Sequence, residues 1–129
     1  MDINYKNLID KAKLASNNAY APYSKFYVGA CVLFDDGSEH IGCNVENVSY
    51  GLSLCAERNA ISSAIASGQK GKLLAVAISS ENTKHCSPCG ACRQWIYEFS
   101  NEAEVILEKN NDDVIVYKIK DLLPEAFKL

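Results

Sequence analysis

The chain has 129 residues, 48% of them apolar and 22% charged, with a net charge of −3. That is enough for one domain over residues 1–129 with its own core, and no shift of composition calls for a second. Its Lys and Arg residues are scattered through a slightly acidic chain, which excludes the clustered basic face that a nucleic-acid backbone requires. The first stretch carries Asp2, Lys6, Asp10, Lys11 and Lys13, and no apolar run approaches the length of about 20 residues needed to span a bilayer. Neither a secretory signal nor a membrane partner is expected, and a soluble, cytoplasmic protein is.

From residue 3 to about 19, Tyr5, Leu8, Ile9, Ala12, Ala15 and Ala19 share one stripe at helical spacing, so an amphipathic helix is predicted, ended by Pro22. Residues 26–34 are β-branched, aromatic or small; Asp35-Asp36-Gly37 follows as a turn, and 39–45 is a second extended run, which together make a β-hairpin. The polar segment 47–54, with Gly51, is read as a loop. From Cys55 the pattern becomes helical through Ala56, Ala60, Ile61, Ala64 and Ile65, with Gly68 as its stop. Leu73 to Ser80 is an unbroken apolar run suited to a central strand covered on both faces. After a loop over 81–88, Cys89 begins a helix through Trp95, Ile96 and Phe99. Residues 104–109 and 114–120 are strands whose short link, Asn110 to Asp113, joins only antiparallel neighbours. The expected fold class is α/β: a three-layer α/β/α arrangement on a five-stranded mixed sheet, with strands 4 and 5 antiparallel. The apolar tail from Leu122 to Leu129 is expected to dock against its own domain or a neighbour.

Six cysteines would suggest disulfides in a secreted chain, but the crowding of Cys86, Cys89 and Cys92 and the absence of a signal favour thiols and metal ligands. Cys55 stands two residues before Glu57, and Pro88-Cys89-Gly90-Ala91-Cys92 follows about thirty residues later. Three sulfurs hold a zinc ion and leave its fourth position open to water, whereas a structural site is closed by four protein ligands. A Cys-Ala-Glu block followed by Pro-Cys-x-x-Cys is the pattern of the zinc nucleoside and nucleobase deaminases. In that chemistry Glu57 takes a proton from the attacking water and passes protons to N3 and to the departing amino group of a cytosine ring. Three thiolates on Zn²⁺ leave a net charge of −1, which weakens the metal as a Lewis acid. Arg58, next to Glu57, is the candidate to draw charge back from the sulfurs, and two helix N-termini aimed at the ion help keep them ionised. Cys86 makes a third candidate for two ligand places in the Cys-x-x-Cys-x-x-Cys run. Cys31 and Cys43 fall in the hairpin and are expected to be buried free thiols, and His85 and His40 to be exposed.

Asn44-Val45-Glu46-Asn47, Ser49-Tyr50-Gly51, Cys55-Ala56-Glu57-Arg58 and Pro88 to Gln94 come in order, and with the Leu123 to Phe127 tail essentially the whole chain resembles the homotetrameric cytidine deaminases. The resemblance implies one zinc per subunit on Cys55, Cys89 and Cys92, with Cys86 a spare loop thiol, and hydrolysis of cytidine and 2′-deoxycytidine to the uridines plus ammonia. It implies that Asn44 and Glu46 bind the ribose 3′-hydroxyl and that Phe26 and Phe127 pack on the pyrimidine. The Ala56 amide receives the 2-oxo group, and main-chain carbonyls near Ser87 accept from the amino group. Val48, where the family often has alanine, and Tyr50 approach the sugar of an adjacent subunit, so that each pocket of a homotetramer is completed across an interface. The Glu46 carboxylate disfavours a nucleoside phosphate relative to the free nucleoside. Deaminases of aminonucleoside antibiotics of the blasticidin type share the Cys-Ala-Glu and Pro-Cys-Gly-x-Cys-Arg-Gln blocks, but the stretch from Asn44 to Gly51 favours cytidine. A non-catalytic zinc-stabilised interaction module would need a fourth ligand and no Glu57.

Overall fold

Asn4 opens the first helix, its side-chain oxygen accepting from the Asn7 amide at 3.1 Å in the computed structural model, which describes residues 2–129. That helix, α1 (Tyr5–Ser16), buries Leu8, Ile9, Ala12 and Ala15. It ends three residues short of the predicted boundary, because the amides of Asn17 and Asn18 turn back to Leu14 and Ala15 before Pro22 is reached. The hairpin follows as β1 (Val28–Phe34) and β2 (Glu39–Cys43), paired antiparallel from Gly29 opposite Cys43 to Leu33 opposite Glu39.

Next come α2 (Ala56–Ala66), β3 (Leu73–Ser80), α3 (Gly90–Phe99), β4 (Glu104–Glu108), β5 (Val114–Lys118) and the single turn α4 (Ile119–Leu122). Gly68 is the stop of α2: at φ 96° it adopts the left-handed conformation, its amide reaching Ile65 and that of Gln69 reaching Ala64. The sheet order is β2-β1-β3-β4-β5, with β3 and β4 parallel, β4 and β5 antiparallel, and the remaining neighbours antiparallel, so the sheet is mixed as expected.

One face of the sheet meets α1 through Cys31, Leu33, Ala75, Ala77 and Ile106. The other face, with Ala30, Val32, Phe34, Val76, Ile78, Val105 and Leu107, meets Ala56, Ala60, Ile61 and Ala64 of α2 and Ile96 of α3. β3 is covered on both sides, which is why its sequence is apolar from Leu73 to Ile78. Two glycines permit the close approach of helix and sheet: a Cβ on Gly29 would lie 1.9 Å from the Ala12 carbonyl oxygen, and one on Gly42 would lie 2.4 Å from the Ala60 nitrogen.

Besides the end of α1, other details differ from the sequence reading, β2 ending at Cys43 and not at residue 45. Phe26 and Tyr27 are not in β1, because the Phe26 carbonyl accepts from the Asn44 amide group and the Tyr27 amide donates to the Asn82 side chain. The loop after β2 contains a 3-10 turn, Tyr50–Leu52, framed by bridges from Val45 to Tyr20 and to Leu54. β5 stops at Lys118, where the chain turns into α4 and the Ile119 amide donates to the Ala103 carbonyl. The N-terminal end of β1, the C-terminal ends of β2 and β3 and the first turns of α2 and α3 all come to one end of the sheet. No helix among the described residues is long and apolar enough to cross a membrane.

Candidate metal centre and active site

Cys55 and Cys89 occupy the cap positions of α2 and α3 in extended backbone conformation, and neither side chain caps its own helix. Both sulfurs are therefore free to face outward from the helix starts, and Cys92, three residues after Cys89, presents its sulfur from the first turn of α3. The three sulfurs lie within 4.8 Å of one another. Zinc–sulfur bonds of about 2.3 Å in a tetrahedron put sulfurs about 3.8 Å apart, so the cluster is of the size that ion requires.

The charges around the cluster agree with a cation at its centre. Cys92 lowers the Cys55 thiol to about 5 by hydrogen bonding, a shift that burial opposes and the Arg58 guanidinium assists. Cys92 is driven far up by its bond to Cys55, by burial and by the charges of Glu57 and Cys55. Sulfurs this close cannot all ionise unless positive charge sits among them. Arg58 supplies part of it: Nη2 donates to the Cys55 sulfur at 3.4 Å, and its Nε is buried with no hydrogen-bond partner among the described residues. A guanidinium held without a full complement of acceptors beside this cluster suits a site made to gather anionic ligands.

Glu57 follows in the first turn of α2 and is 4% exposed. Burial lifts its carboxyl to about 7; the neighbouring Cys55 charge adds to the rise, while its own amide, Cys92 and Arg58 work against it. A carboxyl in this position holds a proton close to neutral pH, as a general acid and base needs to. Ala56, wholly buried at the start of the same helix, has an amide in the turn whose N–H groups have no helical partner.

The remaining predicted residues line the same end of the sheet to different degrees. The Asn44 side chain is committed to the backbone: Oδ1 accepts from the Val28 amide at 2.8 Å and Nδ2 donates to the Phe26 carbonyl at 2.8 Å. Glu46 accepts from the amides of Tyr23 and Ser24, each at 3.1 Å, and from the Ser24 hydroxyl, contacts that hold its carboxyl below the usual range. Phe26 is partly open, and Ser87 is exposed with its hydroxyl accepting from Arg93. Val48, Tyr50 and Phe127 lie mostly in the open, at 75%, 73% and 71% exposure, so within one chain they close no pocket. Cys86 stays out of the sulfur cluster and packs against the core, where burial pushes its thiol up to about 11. Cys31 is fully buried, Cys43 half-buried, and His85 stacks edge-on against Tyr117.

Sequence reasoning gave no role to Arg93 and Gln94, which quote the end of the Pro88 block. Arg93 donates to the Pro88 carbonyl, the Leu122 carbonyl and the Ser87 hydroxyl, and Gln94 donates to the Phe127 carbonyl. Only their place beside Cys92 of the sulfur cluster could have drawn attention to them.

A model of the cytidine and deoxycytidylate deaminase zinc-binding region matches residues 3–108. The chain belongs to this family. A cytidine deaminase from Sporosarcina psychrophila is 44% identical over 129 residues, covering 98% of this chain and 92% of its own length. A crystal structure of cytidine deaminase from Burkholderia pseudomallei superposes with a TM-score of 0.90 at 47% identity, covering 97% of this chain and 100% of that one. The cytidine deaminase of Mycobacterium tuberculosis gives a TM-score of 0.86 at 41% identity over 99% of this chain and 100% of its own. The family is a zinc-binding one, and among the described residues Cys55, Cys89 and Cys92 form the group that could hold a metal ion.

Proposed function

We propose that the chain hydrolyses cytidine and 2′-deoxycytidine to uridine and 2′-deoxyuridine with release of ammonia, using one zinc ion on Cys55, Cys89 and Cys92. The observation that carries this reading is a buried carboxyl, Glu57, poised near neutrality beside a cluster of three sulfurs. Zinc held there supplies the Lewis acidity that makes water a nucleophile near neutral pH. Glu57 receives the proton that this water gives up, delivers one to N3 of the pyrimidine and carries another to the leaving amino nitrogen. Water and cytidine thus give uridine and ammonia, with every proton passing through one carboxyl.

The other residues bind and orient. The Ala56 amide faces the 2-oxo group, and the carbonyls around Ser87 accept from the amino group. Arg58 holds the Cys55 sulfur and moderates its charge. Asn44 and Glu46 take the ribose 3′-hydroxyl with the hydrogen-bonding capacity left over from their backbone contacts, and Phe26 lies on the ring. A carboxylate at the sugar favours the free nucleoside over its phosphate. Val48, Tyr50 and Phe127, exposed in one chain, complete the pocket of a neighbouring copy or are covered by it in a homotetramer. Residues 1–129 form one domain, and the location is cytoplasmic.

The test is direct. The zinc-loaded chain mixed with cytidine lowers the ultraviolet absorbance as uridine forms and releases one ammonia per uridine. Metal-loaded chain that leaves cytidine, deoxycytidine and their free base untouched would overturn the reading.

A further inference from the structure

Arg93 sits in the first turn of α3, directly after the ligand Cys92, and its guanidinium serves three acceptors in three directions. Nε donates to the Pro88 carbonyl at 2.8 Å, Nη2 to the Ser87 hydroxyl at 2.9 Å and Nη1 to the Leu122 carbonyl at 2.8 Å. Two of these acceptors belong to the turn that leads into Cys89, and the third closes α4, almost thirty residues along the chain. The next residue, Gln94, donates to the Phe127 carbonyl at 3.0 Å. Consecutive residues of α3 therefore grip the C-terminal segment at two carbonyls, while one of them also grips the loop before the metal ligands.

Among the described residues, Arg93 and Gln94 are the side chains that hydrogen-bond the Ser87–Pro88 turn and the tail after α4. The loop over residues 81–89 has no regular structure, and its other anchors lie upstream of that turn: Asn82 on the Tyr27 amide and the Lys25 carbonyl, the His85 amide on the Glu108 carbonyl at 2.8 Å, the His85 ring on the Tyr117 hydroxyl at 2.9 Å, and Cys86 against the core. The tail after α4 is likewise irregular, bends at Glu125 with φ 54°, and leaves Phe127 largely exposed, so burial does not fix it. Pro88 has no amide to give, and its carbonyl direction is set by the donor it meets, which is Arg93. A planar fork can satisfy several fixed acceptors at once; an ammonium on a flexible stem cannot do so with the same geometry.

We propose that Arg93 is a positioning residue that locks the Ser87–Pro88 turn, at the amino-group end of its own pocket, to the Leu122–Phe127 segment, which carries the Phe127 wall offered to a neighbouring copy. This rests on the deaminase reading above, and wild-type turnover of cytidine in the same assay tests that reading separately. Arg93 touches no reacting atom. Its loss loosens two walls together and is read mainly in substrate binding.

The experiment uses full-length, zinc-loaded chain carrying Arg93→Gln, Arg93→Lys, Phe127→Ala, or Arg93→Gln with Phe127→Ala, with zinc content and steady-state constants for cytidine measured on each. Loss of charge-assisted bonds gives about a tenfold rise in KM for Arg93→Gln, with kcat falling less than about threefold and zinc retained. Arg93→Lys, which keeps the charge and packs similarly, shows a smaller rise in KM in the same direction. Because Phe127→Ala already removes the wall that Arg93 holds through Leu122, the loss of kcat/KM in the double variant falls short of the product of the two single losses. Independent, multiplying effects of Arg93→Gln and Phe127→Ala would overturn the proposal. So would zinc loss in step with activity, or a KM unchanged in both Arg93 variants.

Discussion

Replacing Glu57 by Gln removes the proposed proton carrier while keeping the shape of a side chain that is 4% exposed. The same burial that qualifies Glu57 for proton transfer also strains the fold, and the two effects are separable by measurement. The carboxyl rises from 4.5 to about 7, chiefly through desolvation. At about 1.4 kcal/mol for each tenfold change in proton affinity, that distance amounts to about 3 kcal/mol. The sign follows from which state releases its proton first. Below pH 4.5 both folded and unfolded chains keep the Glu57 proton and nothing is lost; between 4.5 and about 7 the unfolded chain ionises first and stability falls as pH rises; above about 7 the loss is complete and flat. Chemical denaturation in the presence of a chelator should therefore find Glu57→Gln no more stable than the parent at pH 4 and about 3 kcal/mol more stable at pH 8. Reloading zinc puts a cation beside the carboxyl and shrinks the gain. Turnover of cytidine by the zinc-loaded variant falls by roughly 10³–10⁴-fold, the upper part of the range for general acid–base groups, because one carboxyl serves several transfers. A variant with a tenth of parental turnover, or one with no pH-dependent gain in stability, would refute the link between burial and catalysis at this residue.

The sulfur cluster predicts that Cys92→Ser loses zinc while Cys86→Ser, altering a thiol packed against the core and outside the cluster, keeps it; metal analysis after dialysis decides the matter. Arg58→Gln retains zinc but lowers kcat by about 10–100-fold, the usual cost of removing a hydrogen bond to a metal ligand. Equal kcat values would remove Arg58 from the charge balance of the site. Glu108, buried behind α1, accepts from Ser79 at 2.7 Å and pairs with Lys13 at 3.0 Å and Lys84 at 3.4 Å. Burial raises its carboxyl, yet the Ser79 bond and Lys13 outweigh that and leave it below its ordinary 4.5, so its contribution to stability is present above pH 4.5 and lost as the pH falls through the lower folded value. Glu108→Gln should cost about 1–2 kcal/mol in denaturant unfolding at pH 7, and less at pH 3; an equal cost at both would show that the charge is irrelevant.

The strands and long helices were legible because their signals are local. The apolar run from Leu73 to Ile78 states that β3 is covered on both faces, and the short link after β4 admits only an antiparallel partner. The sulfur cluster was legible for a related reason: spacing of three residues at a helix start already places Cys89 and Cys92 on one side. What the sequence did not reveal depends on contacts between distant side chains and backbone. Phe26 and Tyr27 have every propensity of a strand, but Asn44 and Asn82 take their hydrogen-bonding groups, and β1 begins two residues later. Val114 to Lys120 looks like one strand until the Ile119 amide finds Ala103. Arg93 resembles an ordinary helix arginine until its three acceptors are seen, and no pattern along the chain announces Leu122 as one of them.

These unpredicted contacts share a form: a polar side chain on or beside a regular element fixes the backbone of an irregular one. Asn44 fixes Phe26 and Val28, Glu46 fixes Tyr23 and Ser24, Asn82 fixes Tyr27, Arg93 fixes Pro88 and Leu122, and Gln94 fixes Phe127. A pocket wall made from loops cannot be stiffened by core packing without burying groups the substrate must reach, so hydrogen bonds from the scaffold do the stiffening instead. The ordering entropy of each wall is then met during folding, and a nucleoside meets surfaces that need little further arrangement. It follows that substitutions at these side chains should weaken substrate binding more than they weaken the fold, the reverse of what substitutions in β3 would do.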